Sequence, residues 1–240
     1  MNLEVHLRKL RKRDEISAQE KAAIEDAISE VRSLPSDVVA ISEGQELEVS
    51  TLLLSGWMGR TKMMATGERQ ITELHVAGDF ADLHSFTLKR LDHDVVTLSD
   101  CTVGIVPHQK LQAISERYPH LTRVYWFMTN LDASITREWA LSLGKRQALA
   151  RMANLFCELF VRLEIVGLTD GLSYEFPLTQ AEVSECLGLT GVHVNRTLQE
   201  LRRMGLIEVG SKRVTIRDWP ALQSVAEFDP SYLYLEWRHR

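Results

Sequence analysis

The sequence predicts an α+β protein: a strand-rich unit, one long helix, and a helix-turn-helix with a wing. Three observations predict it. Short apolar runs are broken by turn residues between positions 34 and 107, an apolar stripe at steps of three and four follows Pro119, and residues 178–201 carry specific turn and cap punctuation. The 240 residues are 45% hydrophobic and 25% charged, enough for a real core, which argues against disorder and against a coiled-coil rod.

The formal charge of −5, from 28 Lys+Arg against 33 Asp+Glu, excludes bulk positive charge as a means of holding nucleic acid, so any basic surface must be local. No run approaches the roughly 18 apolar residues of a membrane span, and the polar stretch Met1 to Glu15 lacks the apolar middle of a signal peptide. A cytoplasmic location is expected. Cys101, Cys157 and Cys186 are odd in number and widely spaced, which suggests neither a disulfide framework nor a sequence-local zinc or iron-sulfur site; buried free thiols are expected.

The first element starts at Ser17-Ala18-Gln19-Glu20, where Ser and Glu three apart satisfy the free amides of a helix start, and a helix through about Arg32 is expected. Beyond Pro35 the runs Val38–Ile41, Leu47–Met58, Ile71–Val76, Val95–Leu98 and Cys101–Val106 alternate with turns at Glu43-Gly44, Thr66-Gly67 and Gly78-Asp79. Many short strands at close spacing imply two packed sheets or a closed barrel over residues 34–107.

From Pro119 the period changes. Leu121, Val124, Met128, Leu131 and Ile135 line one helix face, and such a seam either lies back on its own domain or forms a two-stranded dimer contact, the dimer being favoured. Gly144 precedes a second helix, Arg146–Val166, with a wide apolar face; Gly167–Phe176 reads as a loop or tight hairpin.

Residues 178–201 are the most specific. Thr179 and Glu182 form a second capping box, Ser184 is small where two helices cross, Gly188 suits a sharp turn of positive φ, and Thr190 caps the next helix. On that helix Val194, Leu198 and Leu201 face inward, leaving Val192, His193, Asn195, Arg196 and Gln199 outside. Met204-Gly205 ends it, and Leu206–Val209, a Gly210-Ser211 turn and Arg213–Ile216 make a hairpin. Helix-turn-helix plus wing is a DNA-binding arrangement, and Arg196, Arg202, Arg203, Lys212 and Arg213 make it locally basic.

These segments, with Gly78-Asp79-Phe80-Ala81-Asp82-Leu83 in the strand unit, Leu178-Thr179-Gln180 through Arg196 and Gly205-Leu206-Ile207, resemble the cyclic-AMP receptor protein and fumarate-nitrate reductase regulator (Crp/Fnr) family of bacterial transcription factors. The resemblance covers nearly the whole chain. It implies a cyclic-nucleotide-binding-like β-roll, a double-stranded jelly roll, within residues 1–118, a dimerisation helix at 119–145, a winged helix-turn-helix at 146–220 and a tail at 221–240. It implies a homodimer joined at Leu121, Val124, Met128, Leu131 and Ile135, with recognition helix 190–203 in the major groove of double-stranded DNA. The site would be near-palindromic, its half-sites about 34–36 Å apart, and RNA polymerase is an expected partner.

Arg196 falls on the family's guanine-reading arginine, whose planar fork suits bidentate contact to O6 and N7. Gly191 and Val192 depart from the family's readers, so a different half-site is expected. Thr179, Gln180, Thr190, Val192, His193, Asn195 and Gln199 complete the expected base and phosphate contacts, and Lys212 and Arg213 on the wing add salt-sensitive affinity.

The expected effector pocket comprises Asp82, Leu83, Lys89, Arg90, Asp92 and His93. In cyclic-nucleotide members a glutamate holds the ribose and an Arg-Ser pair holds the phosphate; here Asp82 is a shortened acid and Asp92-His93 stand where Arg-Ser would be. Two unit charges 4 Å apart repel by about 4 kcal/mol at an effective dielectric near 20, so cyclic AMP is not the expected ligand, and a cyclic-nucleotide sensor of the same fold is kept as an alternative. Residues 1–31 hold no cysteine, so no iron-sulfur sensor is expected. His75, His84, His93 and His108 raise two alternatives, a haem or metal sensor and a cupin-like barrel enzyme, yet the tight His-x-His pair with a following glutamate is missing. Scattered histidines without metal, and no catalytic activity, are expected. The aromatic tail 221–240 is expected to pack on the winged domain or between domains.

Overall fold

The computed structural model describes residues 3–240; Met1, where the polar N-terminal stretch begins, and Asn2 lie outside the described residues. The chain starts with helix α1 (Glu4–Arg11), which the sequence reading did not anticipate. Leu7 and Leu10 in it, with Leu3 at its N-cap, are buried at steps of four and three, a stripe hidden among Lys and Arg. Helix α2 (Ala18–Ala27) starts at the expected capping box, Ser17 with Glu20. It stops earlier than expected. Ile28 is already extended, and residues around Arg32 form strand β1 (Glu30–Leu34), because antiparallel pairing with Cys101–Ile105 outweighs weak local helix preference.

Strands β2 (Val39–Ile41), β3 (Val49–Ser55), β4 (Trp57–Met63), β5 (Arg69–Val76), β6 (Asp94–Thr97) and β7 (Cys101–Pro107) follow the expected runs, with short helix α3 (Ser85–Leu88) between β5 and β6. They form two sheets, β1-β7-β3 and β2-β6-β4-β5, rather than one closed barrel. Between them lies a core that includes Leu53, Met58, Ala81, Val95 and Val103, while Leu52, Ile71 and Leu74 on the opposite strand faces join the cluster formed with the helices. The turn after β5 requires glycine at Gly78: φ is +98°, and a Cβ there would stand 2.8 Å from the Val5 carbonyl oxygen of the neighbouring chain segment.

Helix α4 (His108–Arg117) leads into the long helix α5 (Pro119–Lys145), started by a proline in its first turn. The sequence-predicted seam is present but points inward. Leu121, Val124, Met128, Leu131 and Ile135 are all buried within their own chain, so in this arrangement they do not offer a free face to a second copy. The reason is that α5 lies back on the β unit, and its apolar stripe belongs to the main core. The outward face instead carries Trp126, 68% exposed, with Asn130, Ala133, Arg137, Ala140 and Leu141.

Helix α6 (Ala148–Val166) is buried along most of its length and supports the C-terminal part of the chain. Hairpin β8 (Thr169–Asp170) and β9 (Ser173–Glu175) joins β10 (Ile207–Gly210) and β11 (Arg213–Ile216) in a sheet ordered β10-β11-β9-β8. Helices α7 (Gln180–Leu187) and α8 (Gly191–Arg203) lie between, and α9 (Trp219–Ala226) packs on α6. Cys101, Cys157 and Cys186 are free and buried. The tail beyond α9 forms a short 3-10 turn, Pro230–Leu233, against α5 and ends beside Arg13 and Asp14.

Candidate nucleic-acid interface

The helix pair is built by local chemistry. Thr179 accepts a hydrogen bond from the Glu182 amide while the Glu182 carboxylate accepts from the Thr179 amide, which starts α7. Gly188 adopts φ +59°, turning the chain into Thr190, whose hydroxyl accepts the His193 amide and starts α8. Val194 and Leu201 are buried and Leu198 packs against the core, as the inward face requires; Thr197 is buried too. This fixes the opposite face in solvent.

On that face Val192 is 83% exposed, and Asn195, Arg196 and Gln199 are exposed beside the half-buried His193. Thr179, Gln180 and Thr190 stand exposed at the starts of the two helices. Among the described residues no side chain pairs with Arg196, so its guanidinium fork is unspent. Arg202 differs: its guanidinium donates to the Val209 carbonyl and ties α8 to the hairpin.

The wing turn is displaced by one residue from the sequence reading. Ser211 and Lys212, rather than Gly210-Ser211, occupy the left-handed region, with φ of 51° and 56°, the pattern of a two-residue hairpin turn. Lys212 and Arg213 are exposed there, Arg213 lying 3.8 Å from Asp170. Helix α7 is also held from below, because Arg69 of β5 pairs with Glu185 at 2.8 Å.

The expected effector residues do not converge on one cavity. Asp82 is fully buried and spent inside the fold, accepting from the Thr51 amide at 2.5 Å and the Ser85 hydroxyl at 3.0 Å; burial pushes its carboxyl up to about 6. Leu83 is buried. Lys89 is exposed above the Phe86 ring, Arg90 faces Glu46, and Asp92 is exposed with its carboxylate on His93.

What fills the interior is an arginine the sequence reading missed. Arg60 donates to Glu73 at 2.6 Å, to Asp132 of α5 at 3.1 Å and to the Ala81 carbonyl at 2.9 Å. Burial pushes the Glu73 carboxyl up, against the pull of Arg60. The available signal was weak, because Arg60 shares its strand with Thr61 and Lys62 and only its alternation with Met58 sets it on the inward face. A cyclic phosphate placed here meets an arginine already committed to two acidic side chains, so the residues present do not fit it.

Of the four histidines, His84 and His93 have ring centroids 5.5 Å apart, His75 lies 3.8 Å from Asp79, and His108 contacts Ser50 and Ser85. Among the described residues these four supply no group of three converging ligand atoms. No helix among the described residues is long and apolar enough to cross a membrane.

Comparison with known proteins agrees with this layout. Residues 31–118 match the cyclic nucleotide-binding domain family, and residues 150–225 match the Crp-like helix-turn-helix domain family. The chain is 28% identical over 182 residues to a probable transcriptional activator of Rhizobium leguminosarum bv. viciae, covering 76% of this chain and 75% of that one. It is 26% identical over 214 residues to the transcriptional activator protein FnrL of Cereibacter sphaeroides, covering 88% and 86%. In fold it matches FixK2 from Bradyrhizobium japonicum with a TM-score of 0.75 at 22% identity, over 82% of this chain and 96% of that one. With both domain families matched in order along one chain, and with regulators among its relatives, the chain belongs to the Crp/Fnr family of transcription regulators.

Proposed function

We propose that the chain acts as a homodimer that places α8 of each protomer in successive major grooves of a near-palindromic DNA site. The observation that carries this reading is the unspent Arg196 on the exposed face of α8, beside Val192, Asn195 and Gln199. Arg196 reads guanine through O6 and N7, Val192 meets a thymine methyl, and Thr179, Gln180, Thr190, His193, Lys212 and Arg213 supply phosphate and flanking contacts. The second copy docks on the outward face of α5 around Trp126, Ala133 and Ala140, since Leu121, Val124, Met128, Leu131 and Ile135 are committed to their own core. RNA polymerase is the further partner, and the cytoplasm the location, that this reading implies.

Control passes through Arg60, which joins β4 to Asp132 of α5. An effector acts only through differential affinity for two arrangements of these parts, and one that draws Arg60 away from Asp132 frees α5 to shift. That effector is not cyclic AMP. Selection of bound sequences from a random DNA pool, with Arg196→Ala as control, tests the reading. An enriched two-fold motif, relaxed at one position per half-site by Arg196→Ala, is expected. No enriched motif overturns the reading; equal loss on every sequence overturns the base-reading role of Arg196.

A further inference from the structure

Three side chains of metal-ligand type, far apart in sequence, meet beside the start of α5. Asp14 lies between α1 and α2, His120 in the first turn of α5, and His239 in the C-terminal tail. Asp14 Oδ2 is 3.1 Å from His120 Nε2, Asp14 Oδ1 is 3.1 Å from His239 Nδ1, and the three ligand atoms lie within 4.8 Å of one another. Each histidine turns a ring nitrogen toward the same buried carboxylate. The two rings stack with centroids 4.9 Å apart.

The support behind His120 is the telling feature. Its other nitrogen, Nδ1, lies 2.6 Å from Glu20 Oε1, and Glu20 is itself fixed by the Ser17 capping box. When Nδ1–H donates to a carboxylate, the Nε2 lone pair is left for a Lewis acid; this carboxylate-histidine pairing is the usual outer support of a histidine metal ligand. The spacing is also right. A tetrahedral site with bonds of about 2.0–2.1 Å has edges of about 3.3 Å. The two 3.1 Å separations run to different oxygens of Asp14, and one oxygen with the two ring nitrogens lies within 4.8 Å, so a turn of the carboxylate and of the exposed His239 ring closes the set around an ion.

We propose that Asp14, His120 and His239 form a site for one divalent transition-metal ion of the zinc class, with Glu20 orienting His120. Two imidazoles and one carboxylate suit zinc or its neighbours, whereas magnesium and calcium select oxygen donors. His239 is 69% exposed on its side-chain atoms, which leaves a solvent-facing fourth position. The tail is already brought to the place by other contacts. The Arg238 amide donates to the Arg13 carbonyl at 2.8 Å, and the Arg240 guanidinium sits 3.8 Å over the Phe127 ring. Arg240 stands beside the site as a competing cation, with Nη1 3.8 Å from Asp14 Oδ2, and the ion displaces the proton that otherwise joins His120 to Asp14. Binding clasps the segment that follows the winged domain to the N-terminal part of the chain and to α5. The site stands independently of the DNA-binding reading.

The test uses the tag-free 240-residue chain, stripped with chelator and titrated with Co2+, followed by displacement with Zn2+. One ion per chain is expected, with the visible absorption of four-coordinate Co2+. Proteolytic cleavage of the tail should slow on loading. His239→Ala, an exposed tail substitution, should abolish both effects, and Glu20→Gln should weaken binding by about 10–100-fold without changing the stoichiometry. Two results overturn the proposal. They are absence of stoichiometric binding in the parent chain, which leaves the cluster as an imidazolium-carboxylate clasp, and His239→Ala binding as tightly as the parent. Circular dichroism of each variant keeps loss of fold separate from loss of the site.

Discussion

Asp79 Oδ2 accepts a hydrogen bond from Arg162 Nη2 at 2.8 Å, and this pair fastens the turn after β5 to the helix beneath the winged domain. Lys9 of α1 pairs with the other Asp79 oxygen, and the two cations hold that carboxyl far below the ordinary range despite its burial. Arg162 also meets Glu158 at 2.9 Å, and Glu158 accepts from Trp139 of α5 at 3.1 Å and from the Tyr232 hydroxyl of the tail at 2.9 Å. β unit, long helix, winged domain and tail therefore share one buried polar network. Arg162→Met leaves Asp79 with Lys9 alone and Glu158 without a cation. Stability should fall by about 3–5 kcal/mol, as for other broken buried pairs, read from urea unfolding. A loss below about 1 kcal/mol would show that the network contributes little.

His6 makes the fold sensitive to acid. Its ring is buried, with Nδ1–H donating to the Gly78 carbonyl at 2.8 Å and its edge or face against Phe80, and burial lowers its pKa to about 4. An unfolded histidine titrates near 6.5, so between pH 6.5 and 4 the unfolded chain binds more protons than the folded one. Stability must fall as pH falls through that window, by roughly 3 kcal/mol for this group, and be unaffected by it above. His75 and His84, also held neutral by burial, act in the same direction. Urea unfolding at pH 7 and pH 4.5 should show a smaller pH difference for His6→Asn than for the parent, whatever its absolute stability. An equal difference would remove His6 from the acid response.

Features made by neighbours in sequence were legible; features made by distant residues were not. Both capping boxes, Ser17 with Glu20 and Thr179 with Glu182, and the Gly188 turn are satisfied within a few residues, so their residue types announce them. The stripe Leu121 to Ile135 announced a buried helix face, but the same pattern serves a dimer seam and an intrachain core, and only the packing of α5 decides between them. Arg60 meets Asp132 across 72 positions of chain, and Asp14 meets His239 across 225, distances over which spacing carries no information. The effector residues chosen by position failed to converge for a related reason. Asp82 satisfies the Thr51 amide and Ser85, whereas Lys89, Arg90 and Asp92 point to the surface.

The wing should contribute affinity without sequence preference. Lys212 sits in the left-handed hairpin turn, exposed at the tip, where an ammonium on a flexible stem reaches a phosphate but reads no base. Lys212→Ala should weaken binding to every duplex alike and lower the slope of log affinity against log salt by about 1. Fluorescence anisotropy at several salt concentrations, on a selected site and on random duplex, measures both. An unchanged salt slope would place the wing away from the backbone.

The outward and inward faces of α5 predict opposite consequences for two large side chains two residues apart. Trp126 is exposed and contributes little to the monomer core, so Trp126→Glu should leave unfolding nearly unchanged while placing a desolvated charge in the proposed contact between protomers. Sedimentation should then report a monomer, and affinity for a full two-fold site should collapse toward that for a half-site. Met128 is buried within its own chain, so Met128→Ala should cost about 2–5 kcal/mol of stability while the surviving folded protein still dimerises. The reverse outcome, a stable monomer from Met128→Ala and an intact dimer from Trp126→Glu, would return the inward seam to the dimer. It would require α5 to roll on the β unit when two copies meet.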